Sequence, residues 1–272
     1  MEGESLPDKL DLYDNAYGNY TSDVYERVRI ETYGADLGQT SWVTQEESAD
    51  IPKLLKLTGD SVVLEIGCGS GAYALHVVEE VGCKIVGVDS NANGVTNANR
   101  LAAERGLNER VTFRHCDVSA GLPFQSESFA AVFANDVLCH IPGRGSLLRE
   151  MHRVLRENGL MLFSDALVIG GMVSHQEIAT RSSIGFYVFS PPGENNRLMK
   201  EAGFQILSVT DTSEAAAELA GRWCAAREKY RKELANEEGR SSFDGLQNFL
   251  LCVQTLLKEK RLLRFLYLAR KE

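Results

Sequence analysis

The sequence predicts an α/β fold in which a doubly wound, mainly parallel sheet is covered by helices on both faces. Two observations predict it. Between residues 62 and 164, short apolar segments rich in β-branched residues alternate with segments of helical period. The first apolar segment also runs directly into a glycine-rich turn, a place where sheets of this kind hold ligands.

Five strands and three helices account for this part of the chain. The strands are predicted over 62–66, 84–88, 111–116, 130–134 and 160–164, and the helices over 72–81, 92–105 and 145–156. A helix between two strands returns the chain to the same edge of the sheet, so neighbouring strands run parallel.

The pattern changes after residue 164. A polar segment with Gly and Pro, 170–203, precedes a sixth strand over 204–210, two helices over 213–238 and 243–260, and a last strand over 261–269. Because the two helices interrupt strands that must pair, we expect a helical lid over about 211–260. The residues before the sheet are rich in Tyr and Gly and fit no clean period, so 1–43 is expected to form a cap and 44–272 the main domain.

Composition excludes several classes of protein. No apolar stretch approaches the ~20 residues that cross a bilayer, and the acidic first residues lack the apolar core of a signal peptide. The six cysteines are scattered, none in a C-x-x-C pair, as in a reduced cytoplasmic protein. A net charge of −9 argues against a nucleic-acid partner. No His or Cys spacing suits a metal, so none is predicted.

A ligand site is predicted directly after the first strand. The stretch "VLEIGCGSG" places an acid, Glu65, before glycines 67, 69 and 71. Dinucleotide-binding turns have the spacing G-x-G-x-x-G, which presents a helix N-terminus to phosphate. Here the spacing is G-x-G-x-G, and a carboxylate before the turn suits a cationic ligand better than a diphosphate.

Acids also follow the next two strands. Asp89 comes about 20 residues after Gly67, the spacing expected for an acid that binds ribose hydroxyls. Asp117 follows the third strand, where a carboxylate can accept a hydrogen bond from an exocyclic amine. A ligand with a ribose, an adenine amine and a positive charge but no phosphate is S-adenosylmethionine, which we predict as the cofactor.

These segments together resemble the class I S-adenosylmethionine-dependent methyltransferases. The matching stretches are "LEIGCGSG", "VGVDSN", "HCDVSAGLPF", "FANDVLCHI" and "LREMHRVLRENGLMLFSD", which fall within about residues 61–165. The resemblance implies a seven-stranded Rossmann-like sheet with an antiparallel last strand. It also implies that S-adenosylhomocysteine is the product and that the cofactor is held by Glu65, Gly67, Gly69, Asp89, Ser90, Asp117, Val118 and Asn135.

The cap resembles a narrower group. The stretch "DNAYGNYTSDVYERVRIETYGADLGQT" is similar to the N-terminal segment of phosphoethanolamine methyltransferases, and the two-helix insertion resembles that of sarcosine/dimethylglycine methyltransferases. The first resemblance implies that Tyr17 pairs with His140 in catalysis, and Tyr25 opens the similar "YERV" run. We predict Tyr25 as a third catalytic residue and Tyr20, Tyr33 and Arg181 as acceptor-binding residues.

The sequence departs from the phosphobase pattern where a phosphate would be held. Ala166 stands where a tyrosine is expected, and residues 241–257 contain no Lys or Arg. A small amine therefore stays the favoured acceptor, with neutral His140 taking its proton and tyrosine rings contacting the methylated cation.

Other interpretations remain open. O- or C-methylation of a natural product, phenol or quinone is the main alternative, and His140 could instead be a core or helix-capping histidine. A nucleic-acid methyltransferase is disfavoured because "NDVL" replaces the Pro-Pro-aromatic motif after the fourth strand. A non-catalytic cofactor sensor would need neither lid nor cap. We expect a small-molecule acceptor, no membrane partner, and a monomer or homodimer.

Overall fold

A seven-stranded sheet organises the chain in the computed structural model, which describes residue 10 and residues 12–272. The strand order is β3-β2-β1-β4-β5-β7-β6. The strands are β1 Val62–Ile66, β2 Lys84–Asp89, β3 Val111–His115, β4 Phe129–Ala134, β5 Leu155–Ile169, β6 Phe204–Asp211 and β7 Leu262–Lys271. The first five pair in parallel, and β7 is antiparallel to both β5 and β6. The predicted fold, including its antiparallel last strand, is confirmed.

Eleven α-helices are found in the described residues. They are α1 Leu12–Gly18, α2 Asp23–Tyr33, α3 Gln45–Leu54, α4 Ala72–Val81, α5 Ala92–Glu104, α6 Arg144–Val154, α7 His175–Arg181, α8 Glu194–Glu201, α9 Ser213–Lys229, α10 Arg231–Glu238 and α11 Arg240–Lys258. The first three precede the sheet, and α9, α10 and α11 lie between β6 and β7. The division into a cap of 1–43 and a domain of 44–272 stays a prediction, and residues 1–9 and 11 lie outside the described part.

The sheet is buried on both faces because its inner strands are apolar throughout. Adjacent residues of a strand point to opposite faces, so Val63 packs with Leu75 and Ile85 on one side, while Leu64 packs with Phe163 on the other. A further apolar cluster lies beneath the cap and lid, where their helices pack around Trp42, Trp223, Phe243 and Phe249. The lid helices therefore share a core with the cap.

The turn after β1 has a backbone that only glycine adopts freely. Gly67, Gly69 and Gly71 have φ values of 76°, 51° and 75°, which cost little only in the absence of a Cβ atom. A Cβ on Gly71 would lie 2.6 Å from the Cβ of Ala98 in α5. The turn can therefore pass closely between α5 and the start of α4.

Several predicted elements differ from the structure. The cap residues, which fit no clean period in the sequence, form α1, α2 and the approach to α3, because α2 packs against the lid helices α9 and α10 while α1 packs against α5. The helix predicted over 213–238 is two helices that meet at Tyr230. Two short helices, α7 and α8, lie inside the polar segment 170–203, and β5 extends beyond the predicted 160–164 at both ends.

Charged and hydroxyl side chains join the cap to the lid. Arg27 of α2 pairs with Glu233, and Lys229 of α9 lies 2.5 Å from Glu31. In the same interface the Tyr25 hydroxyl donates to Glu238 at 2.7 Å. The contacts join residues about 200 positions apart in the sequence.

Within the described residues, no helix combines the length and apolar character that crossing a membrane requires.

Candidate active site

A cavity of about 770 Å³ lies beyond the carboxyl ends of the parallel strands. All of the predicted cofactor residues border it: Glu65, Gly67, Gly69, Asp89, Ser90, Asp117, Val118 and Asn135. The cavity continues beneath α1 to His140 and Arg181. One space therefore connects the glycine turn with the predicted acceptor side.

Asp89 ties the glycine turn to the end of β2. Its two carboxylate oxygens accept hydrogen bonds from the backbone nitrogens of Gly69 and Asn91, each at 2.8 Å. Burial nevertheless raises the pKa of this carboxyl, with the two backbone donors acting against it. Each oxygen keeps a further lone pair with which to accept a hydrogen bond from a ligand.

Glu65 lacks a full set of partners although it is buried. Its Oε2 has no hydrogen-bond partner in the described part of the chain, and neither has the buried Oδ1 of Asn135. Burial, with Asp89 nearby, raises the pKa of Glu65 to about 8. Buried acceptors without donors are rare in native proteins, so this end of the cavity fits a ligand that brings donors or positive charge.

The third predicted acid lies at the rim. Asp117 is exposed and accepts a hydrogen bond from the Ser119 backbone nitrogen at 2.9 Å. Hydrogen bonds from Ser119 hold the pKa of Asp117 below its usual value. Val118 is buried beside it, and the Ser90 carbonyl accepts from His115 Nε2 at 3.0 Å. The rim therefore combines an ionised carboxylate with an apolar side chain.

His140 is fixed in one tautomer by its surroundings. Its Nδ1 lies 3.0 Å from the carbonyl oxygen of Phe186, which can only accept, so Nδ1 carries the proton. Its Nε2 then accepts from the hydroxyl of Tyr13 at 3.0 Å. Burial lowers the pKa of His140 to about 4, so the ring is neutral near pH 7.

Tyr17 borders the same cavity but does not bond His140. Its hydroxyl lies 3.2 Å from Thr40 Oγ1, and a Cβ on Gly69 would come within 2.7 Å of it. Tyr17 and His140 thus face one cavity, as predicted, but make no direct hydrogen bond to each other, because α1 places Tyr13 one turn nearer to the histidine. Residues four apart share one face of a helix. The spacing of Tyr13 and Tyr17 in the sequence therefore indicated that both could face the same cavity.

Three other predicted tyrosines lie away from this cavity. The Arg29 guanidinium lies 4.7 Å from the Tyr20 ring centre, and the Tyr33 hydroxyl donates to the Ser41 carbonyl at 2.9 Å. The Tyr25 hydroxyl is bound to Glu238 in the cap–lid interface. This arrangement gives no support to acceptor binding by Tyr20 and Tyr33 or to catalysis by Tyr25, since none of them borders the space where the acceptor would lie.

Arg181 is a buried cation at the acceptor end of the cavity. It is 1% exposed, and its guanidinium carbon lies 4.6 Å from the Tyr187 ring centre, 5.0 Å from that of Phe249 and 5.7 Å from that of Trp42. Its Nη1 has no hydrogen-bond partner among residues 10 and 12–272. Burial acts to lower the pKa of Arg181, but Tyr187 acts against it and the pKa is raised. Tyr187 is itself neutral near pH 7, because burial raises its own pKa, so at that pH it brings no negative charge to offset the cost of burying the cation. The side chain is therefore charged and not fully paired.

Tyr187 joins these two groups. The centre of the Tyr187 ring lies 4.3 Å from the centre of the His140 ring. The same Tyr187 ring contacts the Arg181 guanidinium. Neither Tyr187 nor Tyr13 was singled out from the sequence, since no spacing distinguishes them from other tyrosines. Among the residues that the structure describes, no group of three His, Cys, Asp or Glu side chains could hold a metal ion.

Comparison with known proteins identifies the central part of the chain. Residues 64–163 match the family described as "Methyltransferase domain". The methyltransferase GfsG of Streptomyces halstedii is 30% identical over 166 residues, which are 59% of this chain and 58% of GfsG. The chain thus spans little more than half the length of that relative. The 27-O-demethylrifamycin SV methyltransferase of Amycolatopsis mediterranei is 25% identical over 222 residues, which are 76% of this chain and 79% of that protein.

A solved structure extends the likeness to almost the whole chain. Phosphoethanolamine N-methyltransferase 2 of Haemonchus contortus, in complex with phosphomonomethylethanolamine and S-adenosylhomocysteine, superposes with a TM-score of 0.80 at 20% identity. The superposition covers 95% of this chain and 60% of that one. Residues 64–163 therefore match a methyltransferase domain, and the chain has the fold of the class I S-adenosylmethionine-dependent methyltransferases.

Proposed function

We propose that this chain transfers the methyl group of S-adenosylmethionine to the nitrogen of a small amine that also carries a negative charge. One observation carries the proposal. A single cavity joins the Glu65 side chain at the glycine turn, whose Oε2 has no hydrogen-bond partner among the described residues, to the Tyr13–His140 pair and Arg181. Amino carboxylates, like sarcosine and dimethylglycine, and phosphobases both fit this description.

The cofactor end follows from the groups without partners. Asp89 has lone pairs for ribose hydroxyls, and Glu65 and Asn135 have acceptor oxygens for groups that donate. S-adenosylmethionine supplies an electrophilic sulfonium methyl group. Because the displacement needs little bond-making help from the protein, positioning is the main task of this end of the cavity.

The charges at the acceptor end of the cavity are the reason for proposing an acceptor that carries a negative charge. Arg181 is buried and charged, the cofactor is a cation at sulfur, and a methylated ammonium product would add further positive charge. Burying like charges together in a medium of low polarity is costly. An acceptor with a carboxylate or phosphate beside Arg181 removes this cost and satisfies its unpaired Nη1.

Proton removal falls to the Tyr13–His140 pair. An ammonium group must lose a proton before its nitrogen can attack. The Tyr13 oxygen can take that proton while its own hydroxyl proton moves to His140 Nε2, 3.0 Å away. Burial is the main cause of the low pKa of His140, and Arg181 lowers it further. An anion bound at Arg181 therefore makes His140 a stronger base.

The cap and lid are proposed to close this end of the site. Tyr13 comes from α1, and Phe249 beside Arg181 comes from α11. Closure excludes water from the reacting groups. We propose that the segment 1–43 and the insertion at about 211–260 act together as this closure.

O- or C-methylation of a larger acceptor is the second candidate. The observation that favours it is the apolar character of the wall beside His140, where Phe186 is 59% exposed and Ile184 borders the cavity. A relative named as a 27-O-demethylrifamycin SV methyltransferase fits the same alternative. The neutral His140 could then take a phenol proton through Tyr13.

Methyl transfer from labelled cofactor to matched acceptors tests the proposal. The panel contains sarcosine, dimethylglycine and phosphoethanolamine, the same skeletons without their acidic groups, and a set of phenols. We expect turnover with at least one acidic amine and at least tenfold less with its uncharged analogue, the scale of one lost charge-assisted hydrogen bond. Turnover of phenols alone would establish the second candidate instead.

Calorimetry tests the cofactor end separately. The Asp89→Ala variant should bind S-adenosylmethionine at least about tenfold more weakly than the wild type, because hydrogen bonds to a charged partner are lost. Unchanged affinity in this variant would contradict the assignment of Asp89.

A further inference from the structure

Asp136 lies at a junction between the sheet, the cap and the turn that carries His140. It lies two residues after the end of β4, is 8% exposed and has a φ of 58°, in the left-handed region that non-glycine residues rarely occupy. Its backbone nitrogen donates to Ser164 Oγ at 2.9 Å. Such a conformation persists only where the surroundings hold it.

Four donors surround the Asp136 carboxylate. Its Oδ1 accepts from Ser164 Oγ at 3.0 Å and from Arg264 Nε at 2.9 Å. Its Oδ2 accepts from the Trp42 backbone nitrogen at 2.9 Å and from Arg264 Nη2 at 3.2 Å. With four donors on two oxygens, Asp136 has no free lone pair with which to take a proton from the acceptor.

Arg264 connects this junction to α3 and to the residue before α9. It is fully buried in β7, and its Nη1 also donates to Glu47 of α3 at 2.8 Å and to Thr212, the residue before α9, at 2.7 Å. Burial acts to lower the pKa of Arg264, but Asp136 and Glu47 act against it and the pKa is raised. The guanidinium is therefore a permanent charge with partners in α3, before the lid helix α9 and at the end of the sheet.

Trp42 carries the connection to the acceptor end. Its backbone is held by Asp136, while its ring lies 5.7 Å from the Arg181 guanidinium and 5.7 Å and 6.2 Å from the rings of Trp223 and Phe249 in the lid. A displacement of the Asp136 carboxylate would therefore move the ring that flanks Arg181.

We propose that Arg264 is a positioning residue for the acceptor site, acting through Asp136 to fix both the Trp42 ring beside Arg181 and the turn that carries His140. The expected effect on turnover rests on the proposed function. Arg264 contacts neither the reacting groups nor the cofactor residues, so its loss should lower turnover of the acceptor and leave the affinity for the cofactor unchanged.

The experiment compares Arg264→Lys and Asp136→Asn with Arg227→Lys. Lysine keeps the charge of Arg264 but cannot make the paired hydrogen bonds to a carboxylate. Arg227 is the matched control, because it is also buried and paired with a carboxylate, Glu238, but lies outside the cavity lining. All measurements are made at a temperature at which every variant is folded.

Two readouts are measured. Acceptor kcat/KM should fall about 10- to 100-fold in Arg264→Lys and Asp136→Asn, the scale for loss of one charge-assisted hydrogen bond, with cofactor affinity within about twofold in calorimetry. The double variant should lose little more than either single one, because both changes act through the same contact. Arg227→Lys should keep wild-type kcat/KM.

Fluorescence gives a readout that needs no turnover. The chain has two tryptophans, Trp42 and Trp223, so Trp223→Phe leaves Trp42 as the one emitter. In that background Arg264→Lys and Asp136→Asn should increase acrylamide quenching of Trp42, and Arg227→Lys should not.

Unchanged quenching in Arg264→Lys, or equal losses in Arg227→Lys, would overturn the inference. If wild-type protein methylates no acceptor while Trp42 still responds to Arg264→Lys, the proposed function fails and the positioning of Trp42 by Arg264 stands.

Discussion

Replacing Arg181 with methionine should separate stability from function. The guanidinium is 1% exposed, its Nη1 has no hydrogen-bond partner among the described residues, and its flanking groups are mostly aromatic rings. We expect Arg181→Met to fold more stably than the wild type and to lose most of its affinity for the acceptor.

The magnitude follows from opposing contributions. Burying an ion costs several kcal/mol even after relaxation, and three ring contacts at 4.6 to 5.7 Å offset part of that cost. Methionine keeps the shape and replaces these contacts with sulfur–aromatic ones worth about 0.3–1.5 kcal/mol each. The free energy of unfolding should therefore rise by about 1–3 kcal/mol. The acceptor KM should rise about 10- to 150-fold, since about 1.5–3 kcal/mol is lost with a charged hydrogen bond.

Arg227→Met is the control for this experiment. Arg227 is buried like Arg181 but pairs with Glu238, so its removal should cost about 3–5 kcal/mol by leaving the buried Glu238 carboxylate without its cationic partner. Urea unfolding gives the stabilities, and initial rates with labelled cofactor give the acceptor KM. A destabilised Arg181→Met protein, or one with wild-type KM, would refute the reasoning.

Three further predictions concern other parts of the site. Tyr13→Phe should lower kcat by about 10²–10⁴-fold, the range for a positioned acid–base group. Tyr17→Phe loses only its contact with Thr40 and should lower kcat less than tenfold. Rates at saturating acceptor concentration would distinguish the two variants. Because burial holds the pKa of His140 near 4, the contribution of His140 to kcat/KM should be complete above about pH 5 and lost as the pH falls through 4, in a pH profile of the folded enzyme. Glu65 has a pKa of about 8 and is mostly protonated at pH 7. Binding of a cationic cofactor should therefore release up to one proton. Calorimetry in buffers of different ionisation enthalpy measures this release.

Each of these has a contrary outcome. Equal losses in Tyr13→Phe and Tyr17→Phe would remove Tyr13 from the proton path. An acid limb near pH 6.5 would mean that His140 is not desolvated as described, and proton release that persists in Glu65→Gln would assign it to another group.

The strands of the sheet were predictable because their signal is local. Observed β1 matches the predicted 62–66, and β2, β3 and β4 differ from their predictions by one residue at one end. Apolar β-branched runs bounded by glycine or polar residues hold this information within a few positions. The helices of the cap were missed because their packing partners are distant in the sequence: α2 packs against lid helices some 200 residues away and α1 against α5, and no short stretch of sequence shows such partners.

The cofactor end of the site was also predictable, and the acceptor end was not. Glycines and acids that follow successive parallel strands must converge at one edge, which is why Glu65 and Asp89 border one cavity. Tyr13 and Tyr187 reach His140 from a helix and a loop that no pairing rule aligns with β4. Their position depends on packing between distant segments, and the sequence offered several equivalent tyrosines.

The position of β7 has a consequence for the order in which the protein becomes competent during synthesis. The strand lies between β5 and β6 and carries Arg264, so the sheet beside the acceptor site closes only after residue 271 is available. The cap is made first but its partners in α9 and α10 are made near the end, and contacts of such long sequence separation form slowly. A ribosome-bound chain lacking β7 could build the glycine turn and β1 to β5, yet Asp136 and Trp42 would have no Arg264 to hold them. Cofactor binding should therefore mature before acceptor binding as the chain is completed.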